Sequence, residues 1–378
     1  MRYTSLLKTG VKDKKLFYVC RVSGWVRPVV VELRRLGEFH DGRLVYWVPR
    51  GVPAFGYMAF GVVDRATNVL QARPTTICPQ NCIFCSVDAG LAPIRRWAEY
   101  VVDPEVIVEG VKKAVEEKGC NVEVLLDTVG DVLTYPHLVN LVRELKKLSG
   151  VRSVALETHG LLLSRKLIDR LAEAGLDRIN LSIDTLNPEK ARYLYGTPVY
   201  DVKRVIEVIE YAVKETPIDL HVTPLWLPGI NDDDIVDVVN WAVRIGAGKR
   251  WPPVTVQKFV KHKYGRGHEL RSVPWSEFWK FLEKLEGELG FRLRWTMNEW
   301  KMHYAKSIGK VLKEGELVEV MVLSRGLFKG EFLGMYRGKV LVAITPTRGV
   351  KLSTGKYYLA EVVSSKYGLY IVKVLNAL

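Results

Sequence analysis

The stretch Asp177–Gly196, DRINLSIDTLNPEKARYLYG, decides the fold. Ile179, Leu181 and Ile183 alternate with Asn180, Ser182 and Asp184, the two-residue period of a strand. With Leu181 and Ile183 packed outward against helices, Ser182 and Asp184 face inward, as side chains on barrel strands do. Beyond it, Val202–Lys214 has apolar residues at i, i+3, i+4 and i+7, the pattern of an amphipathic helix.

The same pairing recurs on both sides. Strands are expected at Pro74–Ile77, Val122–Asp127, Ser153–Glu157, Arg178–Asp184, Asp219–Pro224 and Val254–Phe259, and helices at Pro104–Lys118, Pro136–Leu148, Ser164–Ala174, Val202–Lys214, Asp232–Ile245 and Ser276–Leu289. Six units are too few for a closed eightfold barrel, so the class is α/β with an open, partial (β/α)6 barrel of TIM type, although a doubly wound sheet has the same local pattern. Either arrangement gathers its chemistry at the C-terminal ends of the strands.

The flanks read differently. Residues 1–70 hold short β-like runs such as FYVC, RLVYWV and GYMAFGVV, giving a β-rich N-terminal extension to a barrel over 71–300. Residues 308–378 hold five more runs, LVEVMVLS, FLGMY, KVLVAI, YYLAEVV and LYIVKVL, with glycines at the turns, which predicts a small C-terminal β-barrel.

Of 378 residues, 48% are apolar, enough for one large core and a smaller module. No window of eighteen residues is uniformly apolar, which excludes a membrane-spanning helix and a membrane partner of that kind. The N-terminus lacks the apolar run of a secretion signal, so the expected location is cytoplasmic. Lysine and arginine number 56 against 42 acidic residues, a net +14 that attracts polyanions. The ion-pair networks of a thermophile would also suit it, as would the scarcity of glutamine, present only at Gln71, Gln80 and Gln257.

Five cysteines, an odd number, argue for metal or redox chemistry over a disulfide framework. Three of them fall in RPTTICPQNCIFCSVDAG, Arg73–Gly90, where Cys78, Cys82 and Cys85 are spaced C-x3-C-x2-C just past the first expected barrel strand. Three thiolates on one loop can each bind one iron of a cubane and leave the fourth iron open. A zinc knuckle completed by Cys120 or a histidine is the alternative. Cys20 and Cys120 lie outside this loop and read as buried structural cysteines.

The spacing, with Phe84 directly before the last cysteine, resembles the cluster motif of the radical S-adenosylmethionine superfamily, and within it archaeal-type Fe–S oxidoreductases. The resemblance covers residues 73 to 295 and implies the partial barrel, a [4Fe–4S] cluster held by the three cysteines, and S-adenosylmethionine chelating the open iron. Reductive cleavage would give methionine and a 5′-deoxyadenosyl radical, with an electron donor such as ferredoxin or flavodoxin.

It also implies where the cosubstrate sits. Val129–Val132 stands where the superfamily carries Gly-Gly-Glu-Pro, with only Gly130 literal and Asp131 one methylene short as acceptor of the methionine amino group; Asp127 and Thr128 are substitutes, and Asp131 could instead belong to a turn. ALETHG offers Glu157 and Thr158, with His159 beside them as a ligand, a proton donor or, the favoured reading, a turn residue. DRINLSID is similar to the molybdopterin-precursor cyclase branch and offers Ser182 and Asp184 to the ribose; the next strand brings Thr223 inward, along with His221, which reads as a core histidine. The segment around Val256 to Lys258 would meet the adenine edge, and Lys261, Lys263 and Arg266 follow it at the open mouth, where they could hold phosphates.

Residues 301–378 carry thirteen Lys and Arg against five Glu and no Asp. Arg325, Lys329 and Arg337 interleave with Phe328, Tyr336 and Tyr357, the mixture that neutralises phosphates and stacks bases. The strand rhythm and loop glycines resemble the TRAM domain, a small RNA-binding barrel. The expected function is therefore radical chemistry on a nucleoside of tRNA or rRNA by methylation, thiolation or rearrangement. The alternatives are the same chemistry on a small molecule or peptide, and a zinc-stabilised RNA-binding protein without catalysis.

Overall fold

The computed structural model describes the backbone of residues 17–22, 25–30 and 32–377 and the side chains of 32–375. Along the chain, β1 (Phe17–Val22), β2 (Trp25–Val30), β3 (Arg34–Glu38) and β4 (Leu44–Val48) precede β5 (Gly61–Asp64) and β6 (Val69–Arg73). After the cysteine loop come β7 (Ala98–Val102), α1 (Pro104–Lys118), β8 (Val122–Leu126), α2 (Leu138–Lys147), β9 (Val151–Thr158), α3 (Arg165–Glu173) and β10 (Arg178–Leu181). Then follow α4 (Pro188–Leu194), α5 (Val202–Glu215), β11 (Asp219–Val222), β12 (Leu225–Trp226), α6 (Asp232–Arg244), β13 (Gln257–Lys258) and α7 (Trp275–Leu289). The tail holds β14 (Leu317–Arg325), β15 (Phe332–Tyr336), β16 (Val340–Thr345), β17 (Tyr357–Ser364) and β18 (Ile371–Ala377).

The main sheet runs β11-β10-β9-β8-β6-β5, parallel from β6 to β11 with β5 antiparallel on the outer edge. Three expectations shift. The first barrel strand is Val69–Arg73, not Pro74–Ile77: proline has no N–H for the ladder, and Pro74–Ile77 leaves the sheet to bond β7 through Val102 N–H to Pro74 O and Thr76 N–H to Tyr100 O. The expected division at residue 70 therefore runs through the β5–β6 pair. The last strand shrinks to Gln257–Lys258, joined to β12 and preceded by one Val222–Val254 bridge, because Pro252 and Pro253 precede it.

Apolar faces of the helices pack outside the sheet; α5, for example, buries Val205, Val208, Ile209 and Ala212. The inner face is polar. Arg178 forms a bidentate pair with Glu123 at 2.7 and 3.1 Å, bonds Asn180 at 2.8 Å, and lies between the rings of Trp251 and Trp300. Asn68 fixes the 301–303 segment there, accepting from His303 N–H and donating to Lys301 O.

The tail is a closed barrel of order β14-β15-β16-β18-β17, parallel only between β16 and β18. Val318, Val320, Val322, Val342, Ile344, Val372 and Val374 fill it by strict alternation. The opposite faces of β14–β16, with Met321, Leu323, Leu333, Met335 and Leu341, are buried against the main body. Among the described residues no helix is long and apolar enough to cross a membrane.

Candidate functional site

At the C-terminal end of the sheet lies a cavity of about 320 Å3. Its wall includes Cys78, Cys82 and Cys85, and with them Gln80, Phe84, Asp127, Thr128, Gly130, Glu157, His159, Ser182, Asp184, Thr223 and Lys258.

The cysteine loop is held from three sides. Asn81 and Ile83 N–H groups donate to Tyr195 O and Leu194 O at the end of α4, and Gly196 must be glycine there, because a Cβ would meet Asn81 O at 2.2 Å with φ at +56°. Arg266 crosses beneath, pairing with Asp88 at 2.8 Å and donating to Cys82 O and Ala89 O at 3.2 and 2.6 Å. Arg96, fully buried, donates to Thr76 O, Val87 O and Val129 O and pairs with Glu99, which tethers the loop to the turn after β8. On that turn Gly130 allows backbone contact, since a Cβ would meet Ile77 O at 2.3 Å.

Burial pushes the Cys78 thiol up, with Asp131 and Cys85 adding to it, and burial with the neighbouring cysteines does the same to Cys82. Such thiols are neutral until a cationic centre takes them as thiolates. Three thiols on one cavity wall suit a cluster in which each sulfur takes a separate iron. Two further features fit a polar ligand: both amide atoms of Gln80 and the Asp184 Oδ2 are buried without a hydrogen-bond partner.

The structure separates the expected cosubstrate residues. Ser182 and Thr223 hydroxyls lie 3.0 Å apart on the wall, beyond the ends of β10 and β11, and Asp184 anchors Leu225 N–H with one oxygen at 2.7 Å. Asp131 is turned away: its carboxylate caps Leu133 N–H at 2.9 Å and accepts from Thr158 Oγ1 at 2.9 and 3.0 Å. Thr158 and Asp131 thus bracket two loops to each other, and neither lines the cavity. Asp127 and Glu157 reach the cavity instead; burial, then the charge of Asp127, pushes Glu157 up to about 8. Val256 lies in the core, while Gln257–Val260 form the wall.

Of the rim cations, Lys261 is exposed and donates to His268 O at 2.5 Å, and Lys263 lies over the Tyr264 ring at 4.9 Å. Arg266 is the clamp described above, so its charge is spent inside the loop. On the tail barrel Arg325 stacks on Trp97 and Arg337 on Tyr336, Lys329 is exposed, and Phe328 is buried against Tyr264 with ring centroids 4.1 Å apart. Cys120 lies between α1 and β8, at the far end of the sheet, and the side chain of Cys20 is outside the described residues.

His159, just after Thr158, joins Glu157 on the cavity wall. Its ring lines the cavity, with Nδ1 2.8 Å from Ser182 O and Nε2 3.9 Å from Cys82 Sγ. The signal available was its place directly after Glu157 and Thr158 at a strand end.

A family model described as "Radical SAM superfamily" matches residues 73–242. A Methanocaldococcus jannaschii protein described as "Uncharacterized protein MJ0103" is 32% identical over 353 residues, covering 88% of this chain and 81% of that one. The GTP 3',8-cyclase of Peptoclostridium acidaminophilum is 36% identical over 181 residues, 47% of this chain, so the match spans only 53% of the cyclase. Among solved structures, Streptococcus suis SuiB bound to S-adenosylmethionine aligns with a TM-score of 0.44 at 14% identity, over 62% of this chain and 47% of that one.

Proposed function

The chain belongs to the radical SAM superfamily, and on that premise we propose that it modifies a nucleoside of tRNA or rRNA, with the tail barrel serving as a TRAM-like RNA-binding module. Its cofactors are a [4Fe–4S] cluster and S-adenosylmethionine. Bound together and reduced by one electron, from a donor such as ferredoxin or flavodoxin, they supply a 5′-deoxyadenosyl radical able to take hydrogen from carbon.

The residues then divide the work. Cys78, Cys82 and Cys85 hold the cluster. The Ser182 and Thr223 hydroxyls suit the cosubstrate's ribose, and Asp127, Thr128, Gly130 and the open oxygen of Asp184 suit its polar ends. Glu157, held neutral near pH 7, presents a carboxyl proton at the cavity floor rather than a charge. Phe84, backed by Tyr195, and Phe259 keep the cavity wall apolar between these groups and limit water around a reactive species.

The observation that carries the RNA reading is continuity. The Lys261–Tyr264 rim of the cavity meets the basic tail barrel through the Tyr264–Phe328 stack, and Lys329 N–H donates to the carbonyl of Arg95, whose guanidinium donates to Gly265 O just past the rim. A polyanion laid along that seam would reach from the barrel to the cavity. The test is nucleoside mass spectrometry of tRNA and rRNA from a deletion strain, with the purified enzyme and cofactors restoring the missing nucleoside. Unchanged nucleosides overturn the reading. They would favour the second one, a small molecule or peptide, for which the buried half of the tail barrel argues as a cover over the body.

A further inference from the structure

We propose that the exposed Trp275–Trp279 pair on α7, together with Lys258, is a nucleobase-stacking subsite that holds a base of the RNA substrate beside the cavity mouth; this inference rests on the RNA reading above. The helix does not need these rings to pack. Its buried face is complete in Phe278, Leu282 and Leu285, and Phe281 stacks on Trp226 with centroids 3.8 Å apart and planes 2° apart. Trp275 and Trp279, one turn apart, lie off that face and are 56% and 47% exposed. Large apolar rings left open in this way mark contact sites more often than packing.

The pair is fixed in place. Both indoles rest on Phe278, at 5.6 and 5.3 Å, and lie 5.8 Å from each other with planes 25° apart. Two nearly parallel faces held by one buried ring form a platform whose orientation is set before any ligand arrives, which lowers the entropy lost on binding.

The surroundings choose the ligand. Lys258 Nζ lies 5.1 Å from the Trp275 ring centroid, and the same lysine lines the cavity, so the platform begins where the cavity ends. Lys280, directly after Trp279 on the helix, is exposed, whereas the carboxylate of Glu277 is engaged by Arg271 at 2.6 Å. Cations beside open aromatic faces match a phosphate chain with flat bases.

The test uses the full-length, anaerobically reconstituted enzyme and two labelled decamers followed by fluorescence anisotropy, oligoadenylate RNA and an abasic chain with the same phosphates. W275A/W279A is expected to weaken oligoadenylate about ten- to a hundredfold, as loss of one or two stacked bases does, while leaving the abasic chain unchanged and the unfolding midpoint close to wild type. W275F/W279F should retain most of the affinity. Equal oligoadenylate affinity in wild type and the alanine variant overturns the platform, as does an equal loss on the abasic chain. Wild type that binds and modifies tRNA no better than these Trp variants removes the platform alone, whereas wild type that binds neither decamer nor tRNA removes the RNA reading and the platform with it.

Discussion

Two barrels in one chain are filled in opposite ways. The large one carries Glu123, Arg178, Asn180, Glu157 and Asp127 on its inner face, while the small one is lined by valines and Ile344. An aliphatic interior adds stability with every buried methyl group. A buried ionic interior returns little, because desolvating the charges offsets their attraction. The difference teaches that the large barrel is shaped by what it must hold, and the small one by the need to fold and to dock. The strongest way to break this contrast is at the cavity itself. Cys82→Ala should abolish iron and sulfide binding and all formation of 5′-deoxyadenosine, yet leave the unfolding midpoint of the metal-free protein nearly unchanged, because a small buried side chain is replaced by a smaller one. Iron and sulfide assay with urea unfolding checks both; retained cluster would break the assignment of the large barrel to chemistry.

The polar interior gives the next largest effect. Arg178→Ala strands Glu123 in a site only 3% exposed, and removing one partner of a buried pair costs about 3–5 kcal/mol. The joint variant Arg178→Met with Glu123→Leu should recover most of that loss, since hydrophobic replacements of buried pairs are often neutral. Urea unfolding of the three proteins decides it. A joint variant as unstable as the single one would mean that the ion pair itself, flanked by Trp251 and Trp300, specifies the barrel floor.

How much of this was legible depends on the range of the interaction. Period-two alternation and helical spacing are local, so the βα order and the five tail strands can be read from sequence, as can the thiol triplet. Pro74 and Pro252–Pro253 are visible too, but what they do, redirecting one strand to β7 and thinning the last, depends on which strand is adjacent. Arg96 and Glu99 read as ordinary charges, because nothing in the sequence says that Thr76 O, Val129 O and Arg43 surround them. The tail's mixture of cations and aromatics does not say which rings face out: docking buries Phe328 against Tyr264, while Arg337 lies over the half-buried Tyr336. Trp275 and Trp279 carried no signal, since exposure is settled only after Phe278 and Phe281 take the buried face.

A pH titration sharpens the contrast further. Glu157 is pushed up to about 8 from an unfolded value near 4.5, so between those values the folded state keeps a proton that the unfolded state has lost. Stability from this group is full below pH 4.5 and declines as pH rises toward 8, by at most about 1.4 kcal/mol per unit and less where the cavity admits solvent. Glu157→Gln, an uncharged mimic of the protonated carboxyl, should flatten that part of the slope between pH 5.5 and 8, read as the difference in urea midpoint from wild type. Ile344→Val in the small barrel should instead lower stability by about 0.5–1.5 kcal/mol at every pH, for no carboxylate belongs to its core. A slope unchanged by Glu157→Gln would mean that the carboxyl ionises freely into the cavity.

The seam between the barrels should give the smallest effect, and of the same sign. Tyr57 of the main body donates to Glu331 Oε1 at 2.6 Å and accepts from Leu327 N–H at 2.8 Å, which ties the 325–331 loop to the body. Burial raises Glu331 to about 7 despite the Tyr57 hydrogen bond, so its contribution is greatest below pH 4.5 and falls until pH 7, then levels off. Because the group is only half-buried, the change across that window should be about 1 kcal/mol. Glu331→Gln keeps an acceptor for the Tyr57 hydroxyl and removes the titration, so amide hydrogen exchange in β14 and β15 should become insensitive to pH between 5 and 7 after correction for intrinsic rates. If exchange there responded to pH as in wild type, the docking of the small barrel would rest on its apolar face of Met321, Leu323 and Leu333 alone, and the two barrels would differ even at the surface they share.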